Sequence, residues 1–155
     1  MTAEPPTLDY ARRVAPKPGD PLIAALVAGT AFCGGHMAAE LVMWPIYWAA
    51  TYDRPVASMW GSDLFLFSVF IEIVLAAVAS LLFAVTCVVV RQSTSRAAQP
   101  PVWACVLCGA AFDLARWWAQ AAAVSSENQW RLFFAYPLVA AVALAVTGER
   151  REIAK

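Results

Sequence analysis

Four long apolar runs, separated by short polar segments, make up most of the chain. They cover residues 22–48, 64–90, 101–124 and 131–147. Each is close to the roughly 20 residues a helix needs to cross a bilayer. The pattern predicts an all-α, integral-membrane, up-down four-helix bundle over residues 21–148. Residues 1–20 hold four prolines among charged side chains, which predicts a polar N-terminal arm without helical period. Pro21 suits a first helical turn, and Pro45 is expected to kink or end span one. Residues 50–63, 91–100 and 125–130 read as loops or turns, and 149–155 as a charged tail.

Lysine and arginine placement orients the bundle. Arg12, Arg13 and Lys17 precede span one, Arg91 and Arg96 follow span two, and Arg150, Arg151 and Lys155 close the chain. The other two connections carry or border only Arg54 and Arg131. Both termini are therefore expected on the cytoplasmic side. The first run is too long for a signal-peptide core, and Glu4 and Asp9 precede it, so no cleavable leader is expected.

Composition agrees with a membrane protein. The chain is 61% hydrophobic and 14% charged, where a soluble domain carries about 25% charged residues. Net charge is zero and no basic stripe exists, which excludes a nucleic-acid partner. Cys33, Cys87, Cys105 and Cys108 all fall inside apolar runs, so no disulfide framework is expected.

The chemistry lies in the few polar residues inside the runs. His36 is the sole histidine, and Glu40 follows it by four residues, on one helix face. Span two contains Glu72, and span three contains Asp113 and Arg116. At 1.5 Å per residue, His36 lies roughly 21 Å and Glu40 roughly 27 Å from the cytoplasmic boundary. Glu72 and Asp113 each lie about 12 Å below the outer boundary of a core about 30 Å thick. Four acid–base groups from three helices at one level predict a shared pocket. Trp44, Tyr47, Phe65, Trp117, Trp130, Phe133 and Phe134 are its expected aromatic, substrate-binding lining. Carboxylates and tryptophan faces both stabilise positive charge in a dry medium.

Simpler readings stand beside this one. His36 and Glu40 could be a hydrogen-bonded pair that joins helices. Asp113 and Arg116, three apart, read as a local ion pair, and for Arg116 that is the better reading. Glu72 has no cation on its own helix and needs a partner elsewhere or a proton of its own. The aromatic residues could face lipid or anchor helix ends. Cys105 and Cys108 form a C-x-x-C that reads as small residues at a helix interface rather than a redox site. A single histidine excludes bis-histidine haem. The acids do not match the paired Glu-x-x-His pattern of di-iron bundles, so no metal is expected.

The motifs resemble those of the emopamil-binding and sterol-isomerase superfamily, the EXPERA domain. GGHMAAELVMW resembles that family's His-x-x-x-Glu helix. Gly61, Asp63, Glu72, Arg91 and Gln92 resemble its second helix, although Ser62 separates Gly61 from Asp63. Phe112 and Asp113, in VLCGAAFDLARWW, resemble an aromatic–aspartate pair on its third. The resemblance covers roughly residues 25–145. It implies acid–base isomerisation of an apolar terpenoid-, sterol- or polyketide-like substrate, without a cofactor, through a carbocation held by carboxylates and a tryptophan. His36, Glu40, Glu72 and Asp113 would be the catalytic set. The chain also departs from the family. It has four spans where the sterol isomerases have one more, and Asn128 and Trp130 are two apart where the family has Asn and Trp three apart.

The expectation is therefore a multi-pass enzyme of a plasma or bacterial inner membrane. Its partners would be the lipid bilayer, an apolar small molecule and, compatible with this size, a second copy in a homodimer. The alternatives are a non-catalytic binding protein for sterols or cationic amphiphiles, and a small subunit of a membrane complex. The last predicts acids on an outer face.

Overall fold

The computed structural model describes residues 21–60, 62–93, 100–122 and 126–153, and places them in four α-helices with no strand among them. These are α1 (Pro21–Tyr52), α2 (Asp63–Ser93), α3 (Val102–Ala121) and α4 (Ser126–Ile153). All four are long and apolar enough to cross a membrane. The N-terminal arm, Gly61, Arg96 and Lys155 lie outside the described residues.

Three boundaries differ from the sequence pattern. Pro45 neither ends nor breaks α1, which runs on to Tyr52. A proline costs one backbone hydrogen bond, a loss a buried helix tolerates when its neighbours pack it, and Pro45 is fully buried. The stop comes instead at Asp53, whose φ of 52° turns the chain left-handed. The amide of Arg54 then reaches back to the Ala49 carbonyl at 3.0 Å, and Pro55 follows. Only a short 3-10 turn, Val56–Ser58, remains of the expected loop's interior.

The polar stretch 125–130 is the second correction: it is mostly helix, since α4 begins at Ser126. Glu127 sits in the first turn, where a negative charge suits the helix dipole. It also accepts from Arg131 one turn on, at 2.8 Å. Third, α2 and α4 overrun their apolar cores, so Arg91, Gln92 and the expected tail as far as Ile153 are helical.

Named contacts fix the directions. Along α1, Gly29 faces Ala84 and Trp44 faces Phe65, so α1 and α2 are antiparallel. Gly35 faces Val106 and Tyr47 faces Trp117, so α1 and α3 are parallel. Phe112 meets Phe133 and Tyr136, while Arg116 and Gln120, later in α3, line one cleft with Gln129, earlier in α4, so α4 opposes α3. Each helix packs on two neighbours in the ring α1–α2–α4–α3. α2 and α3, consecutive in the chain, are therefore diagonal in the ring rather than neighbours.

Glycine makes the parallel α1–α3 contact close. A β-carbon at Gly35 would meet the Val106 carbonyl, and one at Gly109 would meet the Phe32 carbonyl. Each helix thus presses a glycine onto the other's backbone, the small-residue packing that membrane helices favour. Beside this seam lies an apolar core of Phe32, Phe83, Phe112 and Phe133, with Cys87 and Cys105. Phe32 stacks on Phe83 with ring centres 4.7 Å apart. Cys105 is fully buried and all four cysteines are free thiols. Outward faces carry Leu66, Phe67, Phe70, Leu81 and Val139, each more than 60% exposed. Apolar outside and polar at the centre is the arrangement a lipid solvent selects.

Candidate functional site

The polar residues of three helices meet at the centre of the bundle. α1 contributes His36 and Glu40, α2 contributes Glu72, and α3 contributes Asp113, Arg116 and Trp117. His36 and Asp113 are wholly buried, Glu40 is 1% exposed and Glu72 8%. The sequence placed the four acid–base residues at one depth, and the structure brings all four together. They face the bundle interior, not an outer surface.

Arg116 organises the group. Its Nη1 donates to Glu72 Oε1 at 2.6 Å. Its Nη2 donates to Glu40 Oε2 and, at 2.9 Å, to Asp113 Oδ1. Its Nε also reaches Asp113 Oδ1, at 3.3 Å. One guanidinium thus ties together carboxylates from three helices. The local Asp113–Arg116 pair does form, but it is one contact of several. Arg116 is the residue that sequence reasoning undervalued. A signal was present: three acids inside apolar runs need cations, and away from their ends the spans hold a single arginine.

His36 and Glu40 share a face yet have different partners. The imidazole Nε2 lies 3.5 Å from Glu72 Oε2 and 3.4 Å from Asp113 Oδ1. Its ring meets Phe112 edge-on at 5.2 Å. Glu40 instead accepts from the Trp117 indole N–H at 2.7 Å. The pair is therefore not a mutual hydrogen bond between α1 residues. It is a fork that spreads the polar contacts over α2 and α3.

Charge does not balance inside the group. Three carboxylates face one guanidinium and one imidazole, so even a protonated His36 leaves an acid uncompensated. Among the described residues, Glu40 Oε1, Glu72 Oε2 and Asp113 Oδ2 each have no hydrogen-bond donor. An uncompensated buried charge is costly, several kcal/mol in order of magnitude. The cluster therefore holds at least one further proton, or takes up positive charge. Either property suits proton transfer.

Aromatic rings close one end of the group. Trp44 is buried against Phe65, ring centres 5.0 Å apart, and Tyr47 lies 4.7 Å from Trp117. The Arg116 guanidinium sits 5.4 Å from the centre of the Trp117 ring. These four of the seven expected aromatic residues are thus assembled near the cluster. Phe133 is buried in the apolar core against Phe112. Trp130 and Phe134 stack on each other and are about half exposed, so Phe134 faces away from the acids. Asn128 is exposed at the start of α4.

The expected open pocket among the acids takes a different form, because Arg116 occupies the space between them. Among the described residues, a cleft of about 190 Å³ reaches the cluster, lined by Leu75, Arg116, Gln120, Gln129, Trp130 and Phe133. It opens between α2, α3 and α4, and Arg116 is the cluster member that lines it. A larger apolar groove, about 640 Å³, runs between α1 and α2 past Gly29, Cys33 and Ala84 but touches none of the acids.

No family model, curated protein or solved structure matches this chain.

Proposed function

We propose that the protein is an integral-membrane isomerase or cyclase. It moves a double bond, or opens or closes a ring, in an apolar terpenoid-, sterol- or polyketide-like substrate. The observation that carries this reading is the cluster itself. Three carboxyl groups from three helices are held together by Arg116, with His36 against two of them, in an apolar interior beside a cleft that opens between helices. Ionisable groups are too costly in a bilayer to be kept for packing alone. A structural bundle needs no excess of acid over base, whereas proton transfer does.

The chemistry asked of these residues is modest. One acid delivers a proton to a carbon, and a second group removes a proton from another carbon. The product keeps the mass of the substrate, and no redox cofactor takes part. Glu72 is the carboxyl group best placed to exchange a proton with the substrate, because it accepts from Nη1 of Arg116, the residue at the cleft. His36, with Asp113 and Glu72 in reach, relays and stores the proton. Trp117 and Arg116 hold Glu40 in place.

A second reading is favoured by the charge excess. A protein with an uncompensated buried acid, and tryptophan rings beside it, would bind cationic amphiphiles without transforming them. Incubation of the purified protein with candidate lipids separates the two. Appearance of an isomer of unchanged mass supports the enzyme. Saturable binding of an amphipathic amine with no conversion of any lipid would replace it with the binding protein.

A further inference from the structure

We propose that Arg116 and Gln120 hold the oxygen of a neutral carbonyl, so that the substrate is an apolar β,γ-unsaturated ketone and the product its conjugated enone; this rests on the acid–base reading above. A guanidinium has five N–H donors. Four hydrogen bonds account for four of them: Nε to Asp113, Nη2 to Glu40 and Asp113, and Nη1 to Glu72. The second N–H of Nη1 has no acceptor among the described residues. Arg116 is also the cluster member that lines the cleft between α2, α3 and α4. Gln120 lines the same cleft one helical turn later, on the same face of α3. Two N–H groups, one from each side chain, suit the two lone pairs of a carbonyl oxygen.

The charges around the cleft select a neutral acceptor. Three carboxylates behind Arg116 repel an anion, and the guanidinium at the mouth repels a cation. The cleft, at about 190 Å³, has room for a ring or a carbonyl-bearing head rather than a whole lipid. Its other walls are Gln129, Leu75, Phe133 and Trp130, the last three of which suit the hydrocarbon next to that head.

The same contact supplies the chemistry. Glu72 Oε1 and the bound oxygen are two acceptors of one nitrogen, which sets them roughly 5 Å apart. The carbon next to the carbonyl then lies within reach of Glu72. Its C–H bond breaks, the proton goes to the Glu72 carboxylate, and the electron pair forms the C=C of an enolate. Glu72 becomes neutral as it takes the proton, so the negative charge moves from its carboxylate to the oxygen rather than adding to the cluster, and Arg116 and Gln120 hold it there. A second acid of the cluster gives a proton to the far (γ) carbon of this dienolate, the carbonyl re-forms and the double bond shifts into conjugation with it. Atoms and electrons balance without a further reagent. A hydrocarbon route would instead build a carbocation beside a fixed guanidinium.

The test uses the full chain in detergent with β-ionone, an apolar enone, beside its alcohol β-ionol and the hydrocarbon of the same carbon skeleton. Binding is followed by titration, and the carbonyl by its infrared stretch and ultraviolet band. The expected result is tight binding of the ketone, with its stretch moved to lower wavenumber and its band to longer wavelength. The alcohol and the hydrocarbon bind at least roughly tenfold more weakly. Gln120→Leu weakens ketone binding by roughly tenfold and reduces both shifts, while Gln120→Asn retains part of them. Equal binding of ketone and hydrocarbon, or of ketone and alcohol, overturns the proposal. So does a Gln120→Leu protein, still folded by circular dichroism, with unchanged affinity and spectra. Deuterium exchange at the carbon next to the carbonyl is read on the same samples. Spectral shifts without exchange uphold the carbonyl site and count against the isomerase reading alone.

Discussion

Arg116 of α3 donates through Nη1 to Glu72 of α2 at 2.6 Å, although α2 and α3 are diagonal rather than adjacent in the bundle. The bond spans the centre of the bundle, where neighbouring helices would otherwise need only apolar contact. It makes Arg116 the first residue to remove. Arg116→Met leaves three buried acids with only His36 to face, and breaking a buried pair costs about 3–5 kcal/mol. The expected outcome is a large loss of thermal stability in detergent. Arg116→Lys recovers part of it, because an ammonium cannot reproduce the fork. An unchanged melting curve for Arg116→Met would contradict the central place given to this residue.

The glycine seam between α1 and α3 makes a sharper structural prediction. Gly35→Ala and Gly109→Ala drive a methyl group into the backbone carbonyls of Val106 and Phe32. Backbone cannot step aside, so the helices must separate, at a cost of about 1–3 kcal/mol. Gly34→Ala is the control, since nothing lies within 4 Å of the place its methyl group would take. That substitution should be neutral or stabilising by up to about 1 kcal/mol through helix propensity. Ranking the three variants by unfolding midpoint decides the matter.

Trp117→Phe keeps a ring beside Tyr47 and Arg116 but removes the N–H that Glu40 accepts at 2.7 Å. A hydrogen bond to a charged group contributes about 1.5–3 kcal/mol. The variant should fold with reduced stability, and its turnover should fall through misplacement of Glu40. A stability equal to that of the parent chain would mean that the indole N–H contributes packing only.

How far the sequence could be read follows from what each residue's surroundings determine. The depth of His36, Glu40, Glu72 and Asp113 was legible because apolar runs fix where a helix starts and ends in a bilayer. Rotation and neighbour order were not. α2 and α4 are apolar almost all round, so no stripe marks which side packs inward, and the diagonal placement of α2 and α3 left no trace in the pattern. Arg116 was hidden by proximity to Asp113, since a pair three residues apart explains itself locally. Its reach to Glu40 and Glu72 depends on α3 packing against α1 and on the long side chain crossing the bundle centre to α2. The start of α4 was missed because Ser126, Glu127 and Asn128 look like a turn until the Glu127–Arg131 pair is seen on a helix.

The helix ends carry a related lesson. Pro45 was expected to kink or end span one, yet, fully buried, it sits inside α1 and the helix runs on past it. The actual stop at Asp53 rests on a left-handed residue, which aspartate adopts more readily than most.

The central claim is that the buried acids move a proton on and off carbon, with Glu72 at the reacting centre. Its most direct test is mass spectrometry of candidate apolar substrates incubated in deuterated water with the parent protein and with Glu72→Gln. The amide keeps the size of the side chain but cannot transfer the proton. The account predicts an isomer carrying carbon-bound deuterium from the parent protein and none above background from a folded Glu72→Gln protein. Full deuterium incorporation by Glu72→Gln would contradict it.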